Sequence, residues 1–226
     1  MPELPLPVVD GLALPAELRE LLRPGEPLRD REGQLRRLPR FFFEVPSWQV
    51  ALETRLAPNF QVWEFLNVDV REAERLRIGW PRYLPCAVSV LAVFLELLRE
   101  EVDTYVHLGA NGGYRSPAHA LSTHASTHCW GTAANLYRVG DDWLDDERTI
   151  RRYARVVERL MPGVYVRPWG HVAGEADDHL HLDLGWSVVV PHGTAGEQED
   201  GDPQSDQAST GEDVTGATRT AGAEGG

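Results

Sequence analysis

The hydrophobic pattern changes period several times along the chain, and each change marks an element. From His179 to Leu184 polar and apolar residues alternate. In an extended segment that places His179, His181 and Asp183 on one face and Leu180, Leu182 and Leu184 on the other. Thr104 to Leu108 carries β-branched and aromatic residues and is bounded by Gly109-Ala110-Asn111-Gly112-Gly113, so it also reads as a strand. Thr132 to Val139, Val164 to Arg167, Leu180 to Leu184 and Ser187 to Val190 complete the predicted strands. Ile150, Tyr153, Val157 and Leu160 recur on one helical face, behind a cap at Asp145 or Asp146, and Pro162-Gly163 ends that helix. Arg82 to Val102 is apolar on nearly every face until Glu96, Arg99, Glu100 and Glu101, which predicts a long, mostly buried helix.

The remaining segments are less regular. Residues 1–40 are rich in Pro, Arg and Leu, with a short helix expected from Ala16 to Leu22 and stopped at Pro24-Gly25. They read as an N-terminal extension that packs on the domain or frays. Phe41-Phe42-Phe43 begins a buried stretch, and Asn59-Phe60 leads through an ordered loop into a short helix. Pro191 to Gly226 has hardly any large apolar residue, so the segment cannot bury enough surface to offset its ordering entropy and is expected to be disordered. Short mixed strands and two solid helices predict an α+β domain over residues 41–190.

Composition narrows the function classes. A chain of 226 residues suits one domain with appendages, or at most two small domains. The net charge is −13, and the tail from Pro191 holds eight acids against Arg219. That balance argues against nucleic acid or an anionic membrane as a partner through bulk charge. The longest apolar stretch, Leu84 to Leu95, is too short to span a bilayer. The first twenty residues show no basic region followed by an apolar one, so the expected location is cytoplasmic by default, with export by another route left open. Two cysteines, Cys86 and Cys129, do not make a disulfide framework. Oligomeric state is not legible.

Seven of the eight histidines lie between His107 and His181. On pattern alone, the His179-His181-Asp183 face is either the solvated face of an edge strand or a metal or acid/base site. A second cluster, Ser126-Thr127-His128-Cys129-Trp130-Gly131-Thr132-Ala133-Ala134-Asn135, is more specific. It resembles the Ser-x-His-x-x-Gly-x-Ala-x-Asp motif of the zinc D-Ala-D-Ala carboxypeptidase and dipeptidase family, whose fold is shared with the Hedgehog signalling domain. Gly113-Tyr114-Arg115-Ser116-Pro117 resembles the family's Gly-Tyr-Arg-Ser-Pro block, and Asp178-His179-Leu180-His181 its Asp-His-x-His block. Asn59-Phe60 with Trp63-Glu64-Phe65 is a looser match to the segment that often opens such domains. The similarity runs from about Asn59 to Trp186 with the blocks in family order.

The resemblance implies a Hedgehog/DD-peptidase-like fold with a small, mostly antiparallel sheet. It also implies a zinc-dependent peptidase that hydrolyses peptide bonds in peptidoglycan-type or D-amino-acid peptides with a metal-activated water. Carried over residue by residue, the metal ligands are His128, Asn135 and His181. Asp178 is the general base and then the acid to the leaving amine, with Glu175 the runner-up. His179 lines the pocket and stabilises the transition state. Arg115 holds a substrate carboxylate or the developing oxyanion. Ser126 binds substrate, and Asp183 orients His181. The implied partner is a peptide or peptidoglycan-stem substrate.

Plainer readings stand beside these. His128 without a metal is a histidine bonded to backbone. Arg115 pairs with Asp178 as a structural salt bridge. His107, His119, His124 and His171 match no motif position and are assigned to the surface or to local hydrogen bonding. Cys129 follows His128 directly and, in an extended segment, faces the other way.

Asn135 is the departure, because the family has an aspartate there. An amide oxygen is a neutral and poorer donor than a carboxylate, so zinc is expected to be weak or absent. Three outcomes stay open: zinc held with help from Asp141, Asp142 or Asp183; a different metal; or a metal-free domain. The rival function is therefore a catalytically degenerate peptide- or peptidoglycan-binding module. A phage-type endolysin is a further possibility within the enzyme class.

Overall fold

Two antiparallel sheets organise the chain. The computed structural model describes residues 6–66, 79–122, 124–171 and 177–192. Met1–Thr194 form one compact unit, and Ala195–Gly226 a second that lies outside the described residues, as do the expected disorder of the tail beyond His192 and the runner-up base Glu175. The elements are mixed helix and antiparallel sheet, an α+β arrangement. No helix among the described residues is long and apolar enough to cross a membrane.

The first sheet joins β1 (Val8–Asp10), β4 (Phe41–Val45) and β7 (Arg82–Pro85), in the order β1-β4-β7. Between β1 and β4 the chain forms the predicted helix α1 (Ala16–Leu22) and a hairpin of β2 (Pro27–Arg29) and β3 (Leu35–Arg37). Residues 8–10 are therefore a sheet strand, paired with Phe41 to Phe43. Phe41 and Phe43 point into the main core, and Phe42 joins Leu22 and Tyr83 in a smaller one.

This sheet corrects the long helix expected over Arg82 to Val102. Arg82 to Pro85 is extended and pairs with Val45 to Phe42, and the helix α4 runs only over Val88–Val102. Tyr83 faces the smaller core and Leu84 the main one. A strand buried on both faces gives the same unbroken apolar run as a buried helix, so periodicity does not separate them.

After β4 come α2 (Trp48–Glu53), a short hairpin of β5 (Arg55–Ala57) and β6 (Phe60–Gln61), and α3 (Val62–Leu66). The Asn59 turn is held to α4, since Glu96 accepts from the Asn59 backbone and side-chain N–H groups at 2.8 and 2.6 Å.

The second sheet holds the predicted chemistry. Its strands are β8 (Val106–Leu108), β9 (Ala133–Val139), β10 (Asp142–Trp143), β11 (Tyr165–Val166) and β12 (Leu180–Asp183). β9 is central, pairing with β8, β10 and β12, and β11 pairs with β12. Helix α5 (Glu147–Leu160) is capped by Asp146, whose Oδ1 accepts from the N–H groups of Arg148 and Thr149 at 2.8 and 3.0 Å. Together α4 and α5 cover one face, where Val106, Leu136, Val139, Leu180 and Leu182 are buried. By alternation and register the opposite face carries His107, Asn135, Trp143, His181 and Asp183. Ser187 to Val190, expected as a strand, finds no ladder partner, and Val188 and Val190 are exposed.

Candidate metal centre

The site begins with a register. In the β12–β9 ladder His181 stands directly opposite Asn135, and Leu180 and Leu182 oppose Leu136 and Ala134 on the core side. His181 Nδ1 is 2.8 Å from Asn135 Oδ1. On its other side His181 Nε2 is 3.2 Å from Asp183 Oδ2, and both side chains are largely buried. Asp183 is fixed in turn by the Gly185 N–H, which donates to its Oδ1 at 2.9 Å.

His128 reaches the same place from above the sheet. It lies in a 3-10 turn, Thr127–Trp130, that ends on Gly131 in the left-handed region at φ 71°. Its ring is 1% exposed, and its Nδ1 is 2.7 Å from the Gly113 carbonyl. A carbonyl only accepts, so Nδ1 carries the proton and Nε2 keeps a lone pair. That Nε2 is buried and has no hydrogen-bond partner. The His128 and His181 rings sit 5.2 Å apart at 56°.

Two glycines make this approach possible. A Cβ on Gly113 would stand 2.7 Å from the Phe65 Cα and carbonyl oxygen, and one on Gly112 would stand 2.6 Å from the Asn135 carbonyl. The Asn135 N–H donates to Gly112 O at 2.7 Å, and the Tyr114 N–H to Phe65 O at 3.0 Å. The Gly112-Gly113 segment is thus wedged between α3 and β9, and its position aims the Gly113 carbonyl at His128.

The electrostatics follow from burial. Desolvation pushes the His128 imidazole well below its ordinary pKa; the nearby charges of Arg115 and His181 push the same way, against the Gly113 carbonyl and the Asn135 amide. His128 is therefore neutral, as a metal ligand requires. For His181 the polar neighbours fix the tautomer. If Nε2–H donates to Asp183, Nδ1 presents a lone pair toward the Asn135 amide. Neutral His128 Nε2, His181 Nδ1 and Asn135 Oδ1 are then three lone-pair donors turned toward one another. Such a set is held together by a cation, or by an Asn135 amide that turns its N–H to His181. Among the described residues no three His, Cys, Asp or Glu side chains gather as a metal set; here the third donor is an amide.

The other predicted residues are distributed around this cluster. Arg115 is half-buried, and its backbone N–H donates to the His128 carbonyl at 3.2 Å. Ser126 is the residue before the His128 turn, and its hydroxyl is not used to cap it. Asp178 is largely exposed, and its Oδ1 is 2.7 Å from Nδ1 of the adjacent His179. His179 Nε2 lies 3.2 Å from Arg167 Nη2, and burial lowers the pKa of the ring. Of the three residues expected on one face of the strand, His179 precedes β12 and only His181 and Asp183 belong to it.

The unassigned histidines also find places. His119 is buried, accepting the Leu121 N–H on Nδ1 and so donating from Nε2 to Asn111 Oδ1 at 3.0 Å. His124 Nε2 accepts from Arg31 Nε at 2.9 Å, and the next residue, Ala125, donates its N–H to the Arg29 carbonyl at 2.7 Å. The β2–β3 hairpin is thereby attached beside Ser126. Cys129 is buried with Trp130, Leu38 and Ala125 in a separate small core, and burial raises its thiol pKa. The segment is a helical turn and not, as expected, extended, and Cys129 packs in that core while His128 packs against His181.

One residue of the site was not singled out in the sequence. Tyr165 stands opposite Asp183 in the ladder, with its ring 6.1 Å from that of His181, edge to face. Burial raises the pKa of its phenol, and the Asp183 carboxylate adds to the effect. Its position depends on strand register, which no local pattern reveals. No protein-family model, no curated protein and no solved structure matches the chain.

Proposed function

We propose that the chain is a metal-dependent peptidase with a Hedgehog/DD-peptidase-like fold, in which His128, Asn135 and His181 hold zinc. The observation that carries this reading is the buried, unpartnered Nε2 of His128 beside the paired Asn135 and His181 side chains. A buried nitrogen without a partner is costly, and a cation at that point would relieve the cost. Zinc bound there would supply Lewis acidity to a water and to the scissile carbonyl. Asp183 holds His181 by its Nε2, as the Gly113 carbonyl holds His128 by its Nδ1.

The roles of the surrounding residues follow from their chemistry. Asp178 takes the proton from the attacking water and returns it to the leaving amine. His179, held between Asp178 and Arg167, steadies that carboxylate and lines the pocket. Arg115 offers a guanidinium to the substrate carboxylate or to the developing oxyanion. Ser126 contributes a hydroxyl to the substrate. The substrate class on this reading is a peptidoglycan-stem or D-amino-acid peptide.

A second reading has its own observation. The 2.8 Å contact between His181 and Asn135 satisfies both side chains when the Asn135 amide turns its N–H to Nδ1, with no metal needed. On that reading the domain binds peptide without turnover. Zinc titration by calorimetry with release of D-Ala from a D-Ala-D-Ala peptide tests both. Zinc binding that is lost in His128→Ala, together with D-Ala release, supports the peptidase. Peptide binding with neither zinc uptake nor release supports the second reading.

A further inference from the structure

The open face of the second sheet does not end at the histidines. Four rings continue along it, each touching the next. Tyr105 is 6.2 Å from His107, His107 is 5.8 Å from Tyr137, and Tyr137 is 5.6 Å from Trp143. The row crosses β8, β9 and β10. It is made possible by an irregularity in the β8–β9 ladder: His107 pairs with Arg138 but Leu108 with Leu136, so Tyr137 is the extra residue. A bulge of this kind turns two consecutive side chains toward one face, and here Tyr137 and Arg138 both reach His107.

Arg138 gives the row a fixed charge. Its Nη2 is 3.1 Å from His107 Nε2, and its guanidinium carbon lies 5.6 Å from the centre of the Trp143 ring. Its buried Nε has no hydrogen-bond partner, and among the described residues no carboxylate pairs with it. In a chain of net charge −13, this arginine packs against Trp143 and His107, with no acid on it among the described residues. The row is also open, with Tyr105 68% and Trp143 55% exposed. Tyr137 follows Asn135 by two residues on β9, roughly 7 Å along the strand, so the row starts beside the His128-Asn135-His181 cluster.

We propose that this row is a binding subsite for a saccharide chain bearing carboxylate groups. Sugar rings have a flat C–H face and a rim of hydroxyls; Tyr and Trp present an apolar face with a polar edge, the matching arrangement. Arg138 then meets a carboxylate on the sugar, the charge complement that the row lacks among the described residues. Nucleobases also stack on rings, but a nucleic acid carries a phosphate on every unit, and the row has one arginine to answer them. An extended peptide would use a free ladder edge or side-chain pockets, whereas these rings stand on the face of the sheet. On the peptidase reading the saccharide is a glycan strand whose muramic acid carboxylates are free of stem peptide, and the proposal rests on that reading only for the choice of probe.

The test is calorimetric titration of the full chain with a tetrasaccharide of alternating N-acetylglucosamine and N-acetylmuramic acid, and with the neutral N-acetylglucosamine tetramer. The acidic saccharide is expected to bind more tightly. Trp143→Ala and, independently, Tyr105→Ala are expected to weaken it tenfold or more. Arg138→Gln is expected to abolish the preference for the acidic saccharide. A chelator is expected to leave saccharide binding unchanged, so loss of zinc binding alone overturns only the peptidase reading. Absence of saccharide binding, binding indifferent to all three substitutions, or sugar-free stem peptide binding that Trp143→Ala abolishes would each overturn the proposal.

Discussion

His181 and Asn135 face each other across the β12–β9 ladder, with Nδ1 of one 2.8 Å from Oδ1 of the other. The pairing places an amide where a carboxylate would give the donor set its one anion. Asn135→Asp is therefore expected to raise zinc affinity at least about tenfold, because an anion replaces an amide dipole in a largely desolvated site. Calorimetry on parent and variant checks it; equal affinities would show that the cluster is not a zinc site.

Asp183 is the carboxylate in contact with this pair, 3.2 Å from His181 Nε2. Asp183→Asn is expected to release the His181 ring and to lower metal affinity by roughly 10- to 100-fold, the usual cost of losing a carboxylate behind a ligating histidine. The loss is expected to be partly recovered in the Asn135→Asp background. A metal affinity that ignores Asp183 would mean its carboxylate only caps the Gly185 turn.

Burial of His128 has a pH consequence. Its folded pKa lies well below the ordinary 6.5, chiefly through desolvation. Above about 6.5 both folded and unfolded chains carry it neutral and it contributes no pH dependence. Below that value the unfolded chain takes up a proton that the folded chain refuses, so stability falls with pH until the depressed folded pKa is reached. His107 and His179 are shifted in the same direction, each chiefly by burial. The thermal midpoint of metal-free protein is expected to drop between pH 7 and 5, and less steeply in His128→Gln. A midpoint that is flat over that range in the parent would contradict the assignment.

Gly113→Ala tests the wedge under His128. A methyl group there meets the Phe65 backbone at 2.7 Å, and backbone cannot rotate away. A destabilisation of about 1–3 kcal/mol is expected from the overpacking, measured by urea unfolding, with weaker metal binding because the Gly113 carbonyl moves. The control is Asp146→Ala at the start of α5, far from the cluster in function, which is expected to cost about 1 kcal/mol without changing metal affinity.

Much of the site was legible because it is local. The alternation around His181 follows from a period of two, and Asp146 is a cap by position; both are properties of a few consecutive residues. The segment from Arg82 to Pro85 was misread because its burial on both faces removes the period that tells strand from helix. Tyr165 beside His181, the wedge of Gly113 against Phe65 and the ring row through Tyr137 were beyond reach for a common reason. Each is set by register or by a bulge between distant segments, and neither leaves a mark in one stretch of sequence.

The wedge has a further consequence. Every donor of the cluster lies between His128 and His181, yet the carbonyl that orients His128 is itself seated on Phe65, in a helix from the first third of the chain. Transplanting the His128 turn with β9 and β12 into another scaffold would move the ligands and leave their alignment behind. A successful graft would have to bring α3 with them.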